Sequence, residues 1–222
     1  MSLGSRFFAA TYDSMGKGTE TAGLQAHRET LLSRASGRVV EIGAGTGRNL
    51  PFYGDGVESL TVTEPDPHMA RRLEQRIQEH PRPVELVRAR AEELPLEDGQ
   101  FDVAVSTLVL CGVEDQERAL GELRRVLKPG GELLFIEHVR SDEPGLARWQ
   151  DRLNGVNRVV ARCDCNRSTI DAIRAAGFTI TDLERGELQK VPPFVRPLAV
   201  GTAVPVTPSP SPRAGRAGHG MT

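Results

Sequence analysis

Short runs of β-branched and aliphatic residues alternate along this chain with stretches whose apolar side chains return every three or four positions. Arg38 to Ile42, Leu60 to Glu64, Val84 to Ala89, Phe101 to Ser106 and Glu132 to Glu137 read as strands. Helical patterns lie between them. One runs from Glu20 to Ser33 with Leu24, Leu31 and Leu32 on its apolar side, one is expected from Thr46, and one follows Pro67 with Met69, Leu73 and Ile77 at four-residue spacing. Another, Gln116 to Leu127, turns Leu120, Leu123, Val126 and Leu127 inward, with Asp115 placed to cap it and Lys128-Pro129-Gly130-Gly131 placed to end it. Such alternation implies an α/β fold, a mostly parallel sheet with helices on both faces.

Beyond the fifth strand the pattern changes. Val139 to Arg162 is polar and irregular around the single tryptophan, Trp149, and reads as an insertion near a pocket. Ser168-Thr169-Ile170-Asp171 resembles a capping box that opens a helix ending at Gly177. Phe178 to Leu183 and Val195 to Val204 are two further strand-like runs, which bring the expected sheet to seven strands. The organisation expected is an arm over residues 1–19, one domain over 20–204, and a Pro/Ser/Gly-rich tail over 205–222 with too little to bury to stay ordered. Phe7, Phe8 and Tyr12 concentrate aromatic residues in the arm of a chain that is only 5% aromatic. They either pack the arm onto the core or cover a bound ligand, in which case Tyr12 touches it.

Composition narrows the classes. A length of 222 residues suits one domain rather than two. A formal charge of −2 gives no electrostatic case for nucleic acid and leaves small-molecule chemistry. Cys111, Cys163 and Cys165 are an odd number with no disulfide framework, and a C-x-C pair without a second set of ligands argues against zinc. No stretch approaches the ~20 apolar residues of a membrane span and there is no secretory leader, so a soluble, cytoplasmic protein is expected. A monomer and a homodimer fit the sequence equally.

The chemistry concentrates where the first strand ends, at Val39-Val40-Glu41-Ile42-Gly43-Ala44-Gly45-Thr46-Gly47. Glycines after a buried strand let the backbone turn tightly and let a ligand approach it closely. A dinucleotide site favours G-x-G-x-x-G, whereas Arg48 stands where the third glycine would be expected, which disfavours a nicotinamide dehydrogenase.

This G-x-G-x-G loop resembles motif I of the class I S-adenosylmethionine-dependent methyltransferases, and further stretches between Phe7 and Val204 resemble the same family. The resemblance implies a single Rossmann-like domain with a seven-stranded, mostly parallel sheet and an antiparallel final hairpin. It implies S-adenosylmethionine as cofactor, with S-adenosylhomocysteine as product. Around the loop it assigns cofactor contacts to Glu41, Gly43, Ala44, Gly45, Thr46, Gly47 and Asn49, with Gly43 and Gly45 against the methionine moiety. Glu64 stands where the family's ribose-binding acid ends the second strand, followed by Pro65. Arg90-Ala91-Glu92-Glu93-Leu94-Pro95 resembles the adenine-bordering motif, so Ala91 and Glu92 are carried over; Arg90 replaces an acid there. Thr107, Leu108 and Cys111 end the motif beside the sulfonium.

Leu108 to Val113, Gln116-Glu117-Arg118, Glu137-His138-Val139 and Cys163-Asp164-Cys165-Asn166-Arg167 resemble the thiol S-methyltransferase-like branch. That branch implies a small, apolar thiol as acceptor. C- or O-methylation of a quinone, lipid or natural product is the alternative, and a non-catalytic S-adenosylmethionine-binding protein is a reading of another class. His138, just past the fifth strand, is the candidate base or acceptor-orienting residue. Gly43→Val is expected to abolish cofactor binding and leave the chain folded.

Overall fold

The computed structural model describes residues 3–206. The side chains of Phe7 and Phe8, and the tail from residue 207, lie outside the described residues. The chain runs through α1 (Leu3–Thr19), α2 (Gln25–Leu32), β1 (Gly37–Ile42), β2 (Val57–Thr63), α3 (Pro67–Glu79), β3 (Val84–Val87) and β4 (Phe101–Thr107). It continues through α4 (Gln116–Val126), β5 (Leu127–His138), α5 (Pro144–Ala161), α6 (Thr169–Ala175), β6 (Phe178–Glu187) and β7 (Pro197–Pro205). The seven strands form one sheet in the order β3-β2-β1-β4-β5-β7-β6. β7 lies antiparallel to both β5 and β6, and the other neighbours are parallel.

Alternate residues of the parallel strands enter two apolar layers. Val40, Ala104, Leu133 and Phe135 pack with Leu120 and Leu123 of α4 and Ile170 and Ile173 of α6. Their strand neighbours Val39, Val103, Leu134 and Ile136 pack on the opposite face with Leu31 and Leu32 of α2 and Leu73 of α3. Strand order reverses between β1 and β4, and a crevice opens at the carboxyl ends of these strands. Two helix starts fix the rim of that crevice. Asp66 accepts from the N–H groups of His68 and Met69 ahead of Pro67, and Asp115 caps α4 by accepting from Arg118 N–H, as the sequence implies.

Several expectations are corrected. No α-helix follows Thr46; the chain makes a tight turn and one 3-10 turn at Leu50–Phe52. Gly47 sits at φ 84, outside the helical region, and Pro51 and Gly54 leave no room for a second turn. The helix expected from Glu20 to Ser33 instead starts at Gln25. A π turn, Glu20–Leu24, with Gly23 at φ 142 joins it to α1. The capping box at Ser168 does not form, because Ser168 makes no side-chain cap and Thr169 Oγ1 donates instead to His138 O at 3.2 Å.

The largest correction is α5, an eighteen-residue helix in the segment that reads as irregular. Its polarity is inverted. Gln150 and Asn157 are buried, while Trp149, Val156, Val159 and Val160 are exposed. Gln150 Nε2 donates to Val139 O at 3.1 Å and to Cys165 O at 2.8 Å, and Asn157 Nδ2 donates to Cys163 O at 2.7 Å. These amides pair loop carbonyls that would otherwise be buried alone. Gln150→Leu, although it makes the buried face apolar, is expected to lower stability by about 1–3 kcal/mol in denaturant unfolding. A gain in stability would contradict this account of the helix.

Candidate active site

The carboxyl end of β1 turns in the left-handed region at Gly43, Gly45 and Gly47, with φ of 57, 59 and 84. Hydrogen bonds tie this turn to the end of β2. Ala44 N–H donates to Thr63 O at 2.9 Å, and Gly43 N–H to Thr63 Oγ1 at 3.3 Å. Glu64, buried at the end of β2, then bridges two loops by accepting from Gly45 N–H at 2.9 Å and from Asp66 N–H at 2.8 Å. Burial pushes its pKa up, opposed by these two N–H donors.

Beneath the loop, Glu41 accepts from Asn49 Nδ2 at 2.9 Å and from the Tyr53 hydroxyl at 2.7 Å. Desolvation raises its pKa to about 7. Asn49 also donates to Thr107 Oγ1 at 3.0 Å and accepts from Arg28 Nη1 at 2.5 Å. Asn49 thus ties the first loop to the end of β4.

Above the loop lies α1. Arg48 donates to Glu20 Oε1 at 2.8 Å, to Asp13 Oδ1 at 3.2 Å, and to the carbonyls of Tyr12 and Asp13 at 3.1 and 2.9 Å. Its guanidinium stacks 5.0 Å from the centre of the Tyr12 ring. Asp13 also accepts from Thr46 Oγ1 at 2.7 Å and from Arg76 Nη2 at 2.8 Å. One helix turn is therefore bound to the glycine loop and to α3 through charge-assisted bonds.

The far wall is set by Glu137, fully buried near the end of β5. It accepts from Ser106 Oγ at 2.7 Å and from the N–H groups of Val109, Leu110 and Cys111 at 3.0, 3.2 and 3.4 Å. These bonds hold Leu108 at φ 57, a strained value for leucine. Just behind this turn, His138 Nδ1 lies 3.1 Å from Cys163 Sγ and 3.6 Å from Cys111 Sγ. The Cys111 hydrogen bond, with the His138 ring, draws the Cys163 thiol down to about 5, while donating that bond and being buried push Cys111 up. His138 Nε2 is buried with no hydrogen-bond partner.

Between these walls is a cleft of about 530 Å³. Of the residues expected to bind cofactor, Tyr12, Gly43, Gly45, Glu64, Pro65, Ala91, Glu92 and Leu108 line it. Glu41, Ala44, Thr46, Gly47, Asn49, Thr107 and Cys111 do not; they brace the loops from below or behind, and His138 stands with the cysteines. Asp66, Met69, Val109, Gly112, Val113 and Arg162 line the cleft without having been expected to. Arg162 comes from the end of α5, and no local signal marks it. Glu92 accepts from the Glu114 N–H at 2.8 Å, so its carboxylate fixes the rim.

The cleft fits S-adenosylmethionine on the chemistry of its donors and acceptors. Glu64 uses two of roughly four carboxylate lone-pair sites on protein N–H groups and keeps acceptor capacity for a ribose diol. The glycine turn offers the close backbone approach such a ligand needs. A Cβ built on Gly45 would meet nothing nearer than Tyr12 at 3.9 Å, whereas one on Gly43 would stand 2.8 Å from both γ-carbons of Val109. Gly43→Val therefore strains the fold as well as the site, and Gly45 is the cleaner probe.

Gly45→Ala is expected to weaken S-adenosylmethionine binding at least tenfold by calorimetry, while the left-handed backbone costs only about 1–2 kcal/mol of stability. Unchanged affinity would remove the glycine loop from the site. Glu64 offers its full acceptor capacity, and its charge, only when ionised, and its pKa is raised. Affinity is therefore expected to fall on acidification starting above the ordinary glutamate range, near 4.3. Glu64→Gln should be weaker at neutral pH and flat over that interval.

Comparison with known proteins agrees with this geometry. Residues 40–135 match the family described as a methyltransferase domain. Human thiol S-methyltransferase TMT1B is 37% identical over 177 residues, 77% of this chain and 70% of that protein. Phosphatidylethanolamine N-methyltransferase of Cereibacter sphaeroides is 32% identical over 154 residues, 65% of this chain and 74% of the relative. A solved S-adenosylmethionine-dependent methyltransferase from Thermotoga maritima superposes with a TM-score of 0.66 at 27% identity, covering 91% of this chain and 97% of that one. With the doubly wound sheet, the glycine cradle and the Glu64 bridge in place, the chain belongs to the class I S-adenosylmethionine-dependent methyltransferases.

Proposed function

We propose that this enzyme methylates a small, largely apolar thiol, and that α1 serves as a cover over the cofactor. When bound, S-adenosylmethionine supplies an electrophilic methyl group on a sulfonium. The rest is for the chain to provide, which means alignment, exclusion of water and disposal of one proton. The observation that carries the reading is the apolar stretch of cleft wall at Leu108, Val109, Gly112 and Val113, beside which Glu114 and Arg162 also line the cleft. A thiol suits such a wall. With a pKa near 8.5 it is already a few per cent thiolate at neutrality and needs no strong base. The kinship with human thiol S-methyltransferase TMT1B supports the same acceptor.

The residues divide the work as follows. Glu64 and the glycine turn hold the cofactor's polar groups, and Tyr12 with the Arg48 clamp covers them. The turn at Leu108, fixed by Glu137, sets where the acceptor's sulfur meets the methyl carbon. Placing both reactants in near-attack geometry can supply about 7–11 kcal/mol of barrier reduction. His138 has its Nδ1 engaged with cysteine sulfur, and we assign it to holding that wall rather than to taking the acceptor's proton. Among the described residues no helix is long and apolar enough to cross a membrane.

Incubation with S-adenosylmethionine and a panel of alkyl and aryl thiols, phenols, quinols and lipid amines tests the acceptor. Methyl thioethers are the expected product, and the rate should rise with pH through the pKa of each thiol, shifting as the thiol is changed. Methylation of a phenol, a quinol carbon or an amine in preference to every thiol would overturn the thiol reading. Tight cofactor binding with no methylated product would favour a non-catalytic protein.

A further inference from the structure

Cys111, His138 and Cys163 stand far apart in sequence and converge behind the cleft. Their ligand atoms, two sulfurs and Nδ1, all lie within 4.8 Å of one another. Nδ1 is 3.6 Å from Cys111 Sγ and 3.1 Å from Cys163 Sγ. From this geometry we infer that the three residues form a binding site for a thiophilic divalent cation of the zinc class. Tetrahedral zinc with Zn–S near 2.3 Å and Zn–N near 2.0 Å sets sulfur and nitrogen about 3.6 Å apart and two sulfurs about 3.8 Å apart. The trio is already at that scale, and the cation needs the Cys163 contact to open by roughly half an ångström.

Each ligand is held by its backbone. Glu137 accepts the Cys111 N–H, and Cys111 O accepts the Asp164 N–H at 2.8 Å. Asn157 donates to Cys163 O, and Thr169 donates to His138 O. Both cysteines are buried and neither is in a disulfide. The ring supplies a further reason. Nδ1 faces both sulfurs, so the ring is already turned with one nitrogen toward the place a cation would take. Three protein ligands leave a fourth coordination position open. Cys165 takes no part, because its sulfur lies 3.7 Å from Asn154 Oδ1. The C-x-C pair visible in the sequence is therefore not the unit, and the site joins the end of β5 to two separate loops instead. Those loops also carry Leu108, Val109, Gly112 and Arg162 of the cleft, so an occupied site would fix the wall on the acceptor side.

The test uses the full chain, reduced and stripped with a chelator, and does not depend on turnover. One equivalent of Co²⁺ is expected to give thiolate-to-cobalt absorption in the near ultraviolet and the intense visible bands of four-coordinate cobalt, both removed by Zn²⁺. Cys163→Ser and Cys111→Ser should each lower the affinity more than tenfold, and Cys165→Ser should leave it unchanged. In the unaltered chain Zn²⁺ should protect Cys111 and Cys163 from alkylation and leave Cys165 reacting as before, which keeps the inference testable if a serine variant fails to fold. Absence of the cobalt bands, equal loss in Cys165→Ser, or unprotected Cys111 and Cys163 would overturn it. So would a Cys111–Cys163 disulfide in the isolated protein that, once reduced, takes up no metal.

Discussion

Buried carboxylates at the carboxyl edge of the sheet hold this site together. Glu41 and Glu137 lie at or near the ends of β1 and β5, and Glu64 immediately follows β2. Taking such a group out of water costs several kcal/mol unless hydrogen bonds replace its hydration. Here the replacement donors are the loops themselves. Glu137 takes four, from Ser106 and three consecutive N–H groups, which fills its acceptor capacity. Glu64 takes only two, and it alone of the three lines the cleft. The same residue type therefore serves structure where it is saturated and remains able to bind where it is not.

Saturation at Glu137 has a consequence for catalysis. A leucine at positive φ costs free energy and persists only where its surroundings over-determine it. The three N–H bonds that follow Leu108 do so, and they fix an apolar turn against the cleft. An apolar, rigid wall suits a reaction whose barrier is lowered mainly by alignment. It would suit less well an acceptor that needs a strong base, since Leu108, Val109, Gly112 and Val113 offer none.

Much of this was legible in the sequence because it is local. The alternation of strands and helices, the G-x-G-x-G turn and the acid that follows the second strand each declare themselves within a few residues; the sheet is as expected, and Gly43, Gly45 and Glu64 line the cleft. What escaped was long-range or inverted. α5 hides its polar side and shows its apolar one, so a reading by hydrophobic spacing takes it for irregular chain, although its Gln150 and Asn157 amides fix the loops around Cys163. The cysteine–histidine trio spans positions 111 to 163, and only the fold brings it together. Glu41 and Asn49, expected at the ligand, bond one another beneath the loop and do not line the cleft. Sequence spacing puts them next to the glycines but not on the same side of the backbone.

Arg48 shows how one substitution changes what a loop can do. A third glycine at this position serves close packing between a helix and the first strand. In this chain no α-helix follows the loop, so nothing requires a small residue there, and the side chain is free to turn outward. It reaches α1, where it binds Asp13 and the Tyr12 carbonyl and stacks on the Tyr12 ring, and it binds Glu20 at the start of the π turn that follows. The guanidinium passes directly against Gly16, so a side chain added there would have to displace it. The missing glycine that sets this loop apart from a dinucleotide site is thus also the anchor of the helix we propose as the cofactor's cover. With no helix packed behind the loop, the side chain at this position ties the loop to the helix above it instead.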